Sequence, residues 1–371
     1  MTSAIKFKIL LATVFFGFTV ICVQSAGLAS ADDEEFPFVE AEGILQAAFS
    51  ADGPGAVAIV TKNNKTVFIA GQGLANIETG TPITRDTVFR MGSITKQFSA
   101  AIIMLLVEEG LIDLDAPIRT YLPDYPEPGA TVSVRQLLNH TSGIPSYTAI
   151  PGVMAPESTV RELSTEQVIS IFKDKPLEFT PGENWSYSNS GYILVGALIE
   201  AVTGQSWVQV VKDRIGDPLA MNSLDTGVVE ADVTQMAIGY TGQRKPEISQ
   251  PIHMSYPGAS GELISTVQDL ADWANALHDG DVVSPESYAQ MIAPTQIGLS
   301  RTIPYGFGLV TQDFHERRAI GHNGGIFGFL AESLYFPEED IFVAVMTNTD
   351  SPSQSPEIIA RKLAELAFQR N

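Results

Sequence analysis

Runs of β-strand character stand at both ends of this 371-residue chain, and helical runs fill the middle. Near the start, "AVAIVTKNNKTVFIAGQG" (56–73) reads as two strands around Asn63-Asn64, a hairpin signal. Near the end, "YGFGLVTQ", "RRAIGHNG", "FLAESLYF" and "IFVAVMTNT" follow one another as β-type runs. Pro337–Asp340 turns the last two into a hairpin, and "SPEIIARKLAELAFQ" closes the chain as a helix. The pattern predicts an α+β fold, with an antiparallel sheet built from both chain ends and flanked by helices. The sheet part covers about 50–92 and 300–371, and a mainly helical part covers about 93–299. A site is expected in the cleft between the two parts.

The first 31 residues read as a secretory signal. Lys6 and Lys8 precede the apolar stretch Ile9–Val23, and Ala29-Ser30-Ala31 supplies a small-residue cleavage site. The apolar core is short for a membrane span, and an uncleaved anchor is the alternative. The working domain is then 32–371, large enough for a sizeable core, in the periplasm or outside a bacterial cell. Cys22 is the only cysteine and leaves with the signal. Ile21 before it does not fit a lipoprotein signal. The mature domain therefore has no disulfide, no thiolate nucleophile and no cysteine-held metal, and no cofactor is expected. Losing two lysines takes the formal net charge from −21 to −23. That charge disfavours nucleic acid and anionic membranes as partners. The expected partner is a small-molecule or peptide substrate, without stable membrane insertion after signal cleavage. Oligomeric state is not legible.

"RMGSITKQFSAAIIMLLVEEG" (90–110) places Ser93 where a helix begins and Lys96 three positions later. Residues three apart share a helix face, so the amine can reach the hydroxyl. Ser-x-x-Lys occurs three times. Ser3 with Lys6 lies in the signal, and Ser170 with Lys173 lies in a helix ending in charged residues. Only Ser93 stands at a strand-to-helix junction, behind Gly92. The plain alternative is a serine helix cap. Tyr187-Ser188-Asn189 is the only Tyr-x-Asn in the chain, and His322-Asn323-Gly324 stands in the β-rich end. Taken singly, Tyr187 reads as a half-buried aromatic, Asn189 as a cap and His322 as an edge-strand residue.

Taken together and in this order, the three motifs resemble the superfamily of serine β-lactamases and penicillin-binding D,D-peptidases. The Tyr-containing second and His-containing third motifs resemble the branch of class C β-lactamases, D-alanyl-D-alanine carboxypeptidases, esterases and D-aminopeptidases. "VRQLLNHTSGIP", "PGENWSYSNSGYILVGALIEAVTG" and "GELISTVQDLADWANAL" look like that branch too, and the resemblance spans about 56–349. It implies a β-lactamase/transpeptidase-like fold and a serine hydrolase working through an acyl-enzyme. Ser93 would be the nucleophile, Lys96 its proton acceptor and Tyr187 a second acid/base. Asn189, His322, Asn323 and Gly324 would bind substrate. The N–H groups of Ser93 and Gly325 would form an oxyanion hole. A base near neutral pH requires Lys96 or Tyr187 to be shifted down by about three units. A mutual shift is expected, with the ammonium favouring the phenolate and burial disfavouring the ammonium.

The third motif departs from β-lactamases, which usually carry Lys-Thr-Gly there. No Lys-x-Gly occurs in this chain, and Asn323 stands where the carboxypeptidases have Thr. A neutral imidazole and an amide bind a carboxylate weakly, so efficient penicillin hydrolysis is not expected. Esters, amides and peptides with D-residues are the expected substrates. A cell-wall binding or sensing module of the same fold, with little turnover, is the alternative. "HERRA" from His315 is no zinc motif, since Ala319 replaces the second His. His140, in "LLNHTSG", reads as a structural turn residue. The loops 144–165 and 239–256 are expected to shape the pocket.

Overall fold

The computed structural model describes residues 36–369. The signal reading of 1–31 lies outside the described residues. Six strands form the main sheet: β1 (Ala56–Lys62), β2 (Lys65–Gln72), β3 (Val310–Phe314), β4 (Arg317–Ile326), β5 (Phe329–Phe336) and β6 (Ile341–Thr347). Their spatial order is β3-β4-β5-β6-β1-β2, and every neighbouring pair is antiparallel. Asn63 and Asn64 join β1 to β2 with φ of 50° and 58°. That is the backbone a tight two-residue hairpin requires, and Asn tolerates it. β1 pairs with β6 from Ala56 opposite Thr347 to Lys62 opposite Ile341, so the sheet closes only when the two chain ends meet.

The five longest helices among the described residues are α1 (Phe38–Ala48), α2 (Thr95–Glu108), α3 (Asn189–Thr203), α4 (Val267–Asp279) and α5 (Pro356–Phe368), of which α1, α4 and α5 pack on the sheet. Successive side chains on a strand face opposite ways. Ala56, Ala58 and Val60 of β1 join the core with α1 and α5. Val57 and Ile59 join the larger core with α2, α3 and α4. Both faces are covered, so β6 is buried at every position and reads as an unbroken apolar run. Each fully buried Val, Ile or Leu contributes about 1.5–3 kcal/mol.

α2 is more deeply set than its amphipathic pattern suggests. Every residue from Thr95 to Met104 is buried, including polar ones. Each of these polar side chains is satisfied. Trp273 Nε1 donates to Gln97 Oε1 at 2.9 Å, and Ser99 Oγ donates to the Ala259 carbonyl at 2.8 Å. The helix Thr165–Phe172 starts with a capping box of Ser164 and Gln167. Ser170 is exposed there and bonds its own helix at Gln167, not Lys173.

Candidate active site

Ser93 is placed by a short strand and a tight turn. Phe89 and Arg90 pair with Leu263–Ser265, and Met91 N–H donates to the Leu263 carbonyl at 2.9 Å. The chain then passes through Gly92, at φ +53°, into a 3₁₀ turn (Gly92–Ile94) that runs into α2. Ser93 does not cap α2, because Ile94 flanks that helix and no side chain caps it. The hydroxyl is therefore spared for other work.

Lys96 lies one turn further on and is fully buried. Its Nζ stands 3.1 Å from Ser93 Oγ, 2.8 Å from Asn189 Oδ1 and 2.7 Å from the Ser260 carbonyl. No carboxylate pairs with it among the described residues. Burial holds its amine well below the ordinary lysine range. Asn189 begins α3, and the helix is capped by Ser188, whose Oγ accepts from Gly191 N–H. Asn189 is thus no cap. Its Nδ2 donates to Thr148 Oγ1 at 3.2 Å, which turns Oδ1 toward Lys96.

The expected mutual shift of Lys96 and Tyr187 is not found. Lys96 Nζ sits over the ring of Tyr187, 4.8 Å from its centroid, rather than at the hydroxyl. The phenol is pushed up by burial, partly opposed by the Ser93 hydroxyl. The amine moves down while the phenol moves up, a pairing in which the amine is the better suited of the two to accept a proton. The Tyr187 hydroxyl is buried beside the Ser93 hydroxyl, and among the described residues it makes no well-formed hydrogen bond.

β3 pairs with β4 only as far as Gly321, which leaves His322–Ile326 free on that side. This free edge runs against the Ser93 turn. A Cβ on Gly324 would stand 2.0 Å from the Met91 carbonyl oxygen, and one on Gly92 would stand 2.8 Å from Gly325 N. Only glycines permit this approach, which sets the Gly325 N–H beside Ser93. His322 does not present its ring to the cleft as expected. The ring is buried, with Nε2 3.0 Å from Tyr305 Oη and Nδ1 2.5 Å from the Asn323 carbonyl. Burial and the nearby Lys96 lower its titration to about 4, so it is neutral at pH 7. Asn323, next along the strand, points the other way and is exposed.

The cleft over Ser93 has a volume of about 360 Å³. Ser93, Asn189 and Gly325 form its floor, and Met154, Ile252, Pro257, Ile326, Phe327 and Leu330 supply apolar walls. Tyr147, Thr148 and Met154 come from one expected loop and Ile252 from the other. The only carboxylate in the lining is Asp350, and no Lys, Arg or His lines it. Arg90, just before the turn, is tied to Glu230 through Nε at 2.8 Å.

The Beta-lactamase family model matches residues 41–368. The chain belongs to that family. It is 26% identical to penicillin-binding protein 4* of Bacillus subtilis over 80% of this chain and 68% of that protein. It is 28% identical to a D-aminopeptidase of Gluconobacter oxydans, over 86% of this chain and 62% of the relative. It is 28% identical to esterase EstB of Burkholderia gladioli, over 80% and 86%. The chain thus spans less than two thirds of the D-aminopeptidase. Among solved structures, D-amino acid amidase of Ochrobactrum anthropi with D-phenylalanine superposes with a TM-score of 0.78 at 25% identity. That match covers 89% of this chain and 98% of the amidase. The octameric penicillin-binding protein homologue of Pyrococcus abyssi also gives 0.78, at 30% identity, over 90% and 78%. The fold is that of the β-lactamases and penicillin-binding proteins.

Three features of this family site were not legible in the sequence. The Ser260 carbonyl on Lys96 is main chain and leaves no residue signature. Tyr305 reaches His322 from a loop before β3. His140, read as a turn residue, packs its ring 4.3 Å from that of Tyr187. Its polar setting after a short helix was the available signal.

Proposed function

We propose that this protein is an exported serine hydrolase that cleaves esters and amides through an acyl-enzyme on Ser93. One observation carries the reading: a fully buried Lys96 amine 3.1 Å from Ser93 Oγ, held by two acceptors. Asn189 Oδ1 and the Ser260 carbonyl only accept. A neutral amine gives them its two hydrogens and keeps its lone pair for the Ser93 proton. Ser93 Oγ then attacks the substrate carbonyl carbon as its proton passes to Nζ. The resulting oxyanion meets the N–H groups of Ser93 and Gly325. The protonated Tyr187 hydroxyl is suited to donate to the leaving group; the phenolate then takes the proton of the attacking water, and Lys96 returns its proton to Ser93 Oγ as the acid is released.

The cleft favours an uncharged, apolar acyl group. Its lining holds no cation, and both His322 nitrogens are engaged inside the protein. A substrate carboxylate would enter a site with Asp350 on its wall. β-Lactams and C-terminal carboxylate peptides are therefore poor substrates. Simple esters and amides, including those of D-residues, are good ones.

The test is turnover of p-nitrophenyl butyrate by the mature protein and by Ser93→Ala. Activity lost in the variant supports the reading. Equal activity in both removes Ser93 from the mechanism. No activity in either favours the binding module, and a trapped penicillin adduct would then be sought.

A further inference from the structure

Among the described residues the Tyr187 hydroxyl makes no well-formed hydrogen bond, so its aim at Ser93 depends on what holds the rest of the residue. Two things remain: the backbone on either side of Tyr187 and the packing of its ring. One residue bears on both, beside the Lys96 amine that sits over the ring. The main-chain carbonyl of His140 accepts from Ser186 N–H at 3.1 Å. The Nδ1 of the same residue accepts from Ser188 N–H at 3.2 Å. Its ring lies against Tyr187 at 4.3 Å, tilted by 42°, and against Tyr305 at 4.6 Å. His140 thus grips the chain immediately before and after Tyr187 and packs on the ring between.

The backbone of His140 is unusual enough to need a reason. Its φ is +63°, a region costly for a residue with a side chain. That conformation lets carbonyl and imidazole face the same neighbouring strand of chain. The tautomer follows from the contacts. Ser188 N–H can only donate, so Nδ1 carries the lone pair and Nε2 the proton. Burial, with Lys96 and His322 nearby, keeps the ring neutral. Nε2 has no partner among the described residues, so the ring is held by Nδ1 and by its aromatic neighbours.

We propose that His140 is a positioning residue that aims the Tyr187 phenol at Ser93, by clamping Ser186 and Ser188 and packing on the Tyr187 ring. The proposal rests on the reading of Ser93, Lys96 and Tyr187 as the hydrolytic centre. It assigns His140 no proton transfer. Misplacing a reacting group by about 1 Å can cost a factor of about 100 in rate, so the clamp has a measurable value.

The experiment compares His140→Ala, His140→Asn and His140→Phe with the wild type, each also in a Tyr187→Phe background. Asn tolerates positive φ, and its Oδ1 occupies the place of Nδ1. Phe keeps the ring and loses the acceptor. The readouts are kcat and KM on an alkyl amide, whose leaving group needs a proton, with near-ultraviolet circular dichroism to verify folding. His140→Ala and His140→Phe are expected to lower kcat by roughly 10–100-fold with KM within about three-fold, while His140→Asn stays within about five-fold of wild type. In the Tyr187→Phe background the same changes should cost less than about two-fold, because the group they position is gone. Equal losses in both backgrounds, or a His140→Phe at least as active as His140→Asn, would overturn the proposal. The Asn and Phe pair decides the matter if His140→Ala does not fold. A Ser93→Ala variant that keeps turnover removes the hydrolytic reading itself. An inactive Ser93→Ala beside a fully active His140→Ala removes only the role of His140.

Discussion

The Ser260 carbonyl accepts a hydrogen bond from Lys96 Nζ at 2.7 Å, across 164 positions of sequence. A carbonyl has no proton to offer, so this contact assigns one hydrogen of the amine permanently. Asn189 Oδ1, turned by Thr148, assigns a second. In its neutral form the amine then keeps only its lone pair unassigned, and Ser93 Oγ is the group beside it.

The Lys96 amine should therefore titrate below an ordinary lysine, because burial lowers it and no carboxylate among the described residues opposes that. The active form is the deprotonated amine, so acylation should rise as pH increases through this group. The rising limb should lie well below the reference lysine value of about 10.4. The measurement is kcat/KM for p-nitrophenyl butyrate against pH with acylation limiting. A rate flat from pH 5 to 9 would count against Lys96. Lys96→Ala should lower kcat/KM by about 10²–10⁴-fold at neutral pH.

Tyr187→Phe should separate esters from amides. A p-nitrophenolate leaves without help, whereas an alkyl amine needs a proton. The variant should lose roughly 100-fold or more on an alkyl amide and far less on p-nitrophenyl butyrate. Equal losses on the two substrates would place Tyr187 elsewhere in the mechanism.

Asn323 is exposed on the free edge of β4, on the side opposite His322. Asn323→Thr supplies the hydroxyl that carboxylate-binding relatives of the motif carry. It should tighten binding of a carboxylate-bearing substrate by roughly 2–10-fold, the value of one added hydrogen bond, and leave neutral esters unchanged. KM values for a matched charged and uncharged pair give the answer, and no gain would weaken this view of the subsite.

Gly324→Ala should separate β4 from the Ser93 turn. The new methyl would stand 2.0 Å from the Met91 carbonyl oxygen, which is backbone and cannot swing aside. A cost of about 1–3 kcal/mol is expected from such overpacking. Activity should fall further than stability explains, because Gly325 N–H moves with the strand. Urea midpoints and kcat on the same preparation test this.

Glu262 offers a test of stability apart from catalysis. Burial raises its titration to about 8, whereas an unfolded glutamate titrates near 4.3. Between these values the native state holds a proton that the unfolded state has released. Its contribution is thus present at low pH and lost as pH rises through about 8. Glu262→Gln should gain on the wild type by up to about 1.4 kcal/mol per pH unit across that window. Urea midpoints at pH 5, 7 and 9 provide the comparison. A difference independent of pH would show that the carboxyl is not protonated in the native state.

Much of the fold could be read from local pattern. Asn63-Asn64 demands a tight hairpin, and the runs 310–347 leave little choice but a meander of strands. The burial of α2 could not be read that way. Only the packing of Trp273, Ser333 and Ala259 around its polar residues removes them from water.

The candidate site divides along the same line. Residue types and spacing are local, so Ser93, Lys96, Tyr187 and Asn189 were legible as a set, and so was the need to shift a base. Which group shifts, and which way, depends on distance and burial, which no spacing encodes. The tertiary structure set Lys96 over the Tyr187 ring rather than at its hydroxyl, turned His322 inward to Tyr305, and brought His140 against Tyr187. Sequence determined which chemical groups this protein owns and roughly where its strands and helices begin. Tertiary structure decided which of those groups meet and how dry they are, because proton affinity and hydrogen-bond geometry are properties of the surroundings and not of the residue.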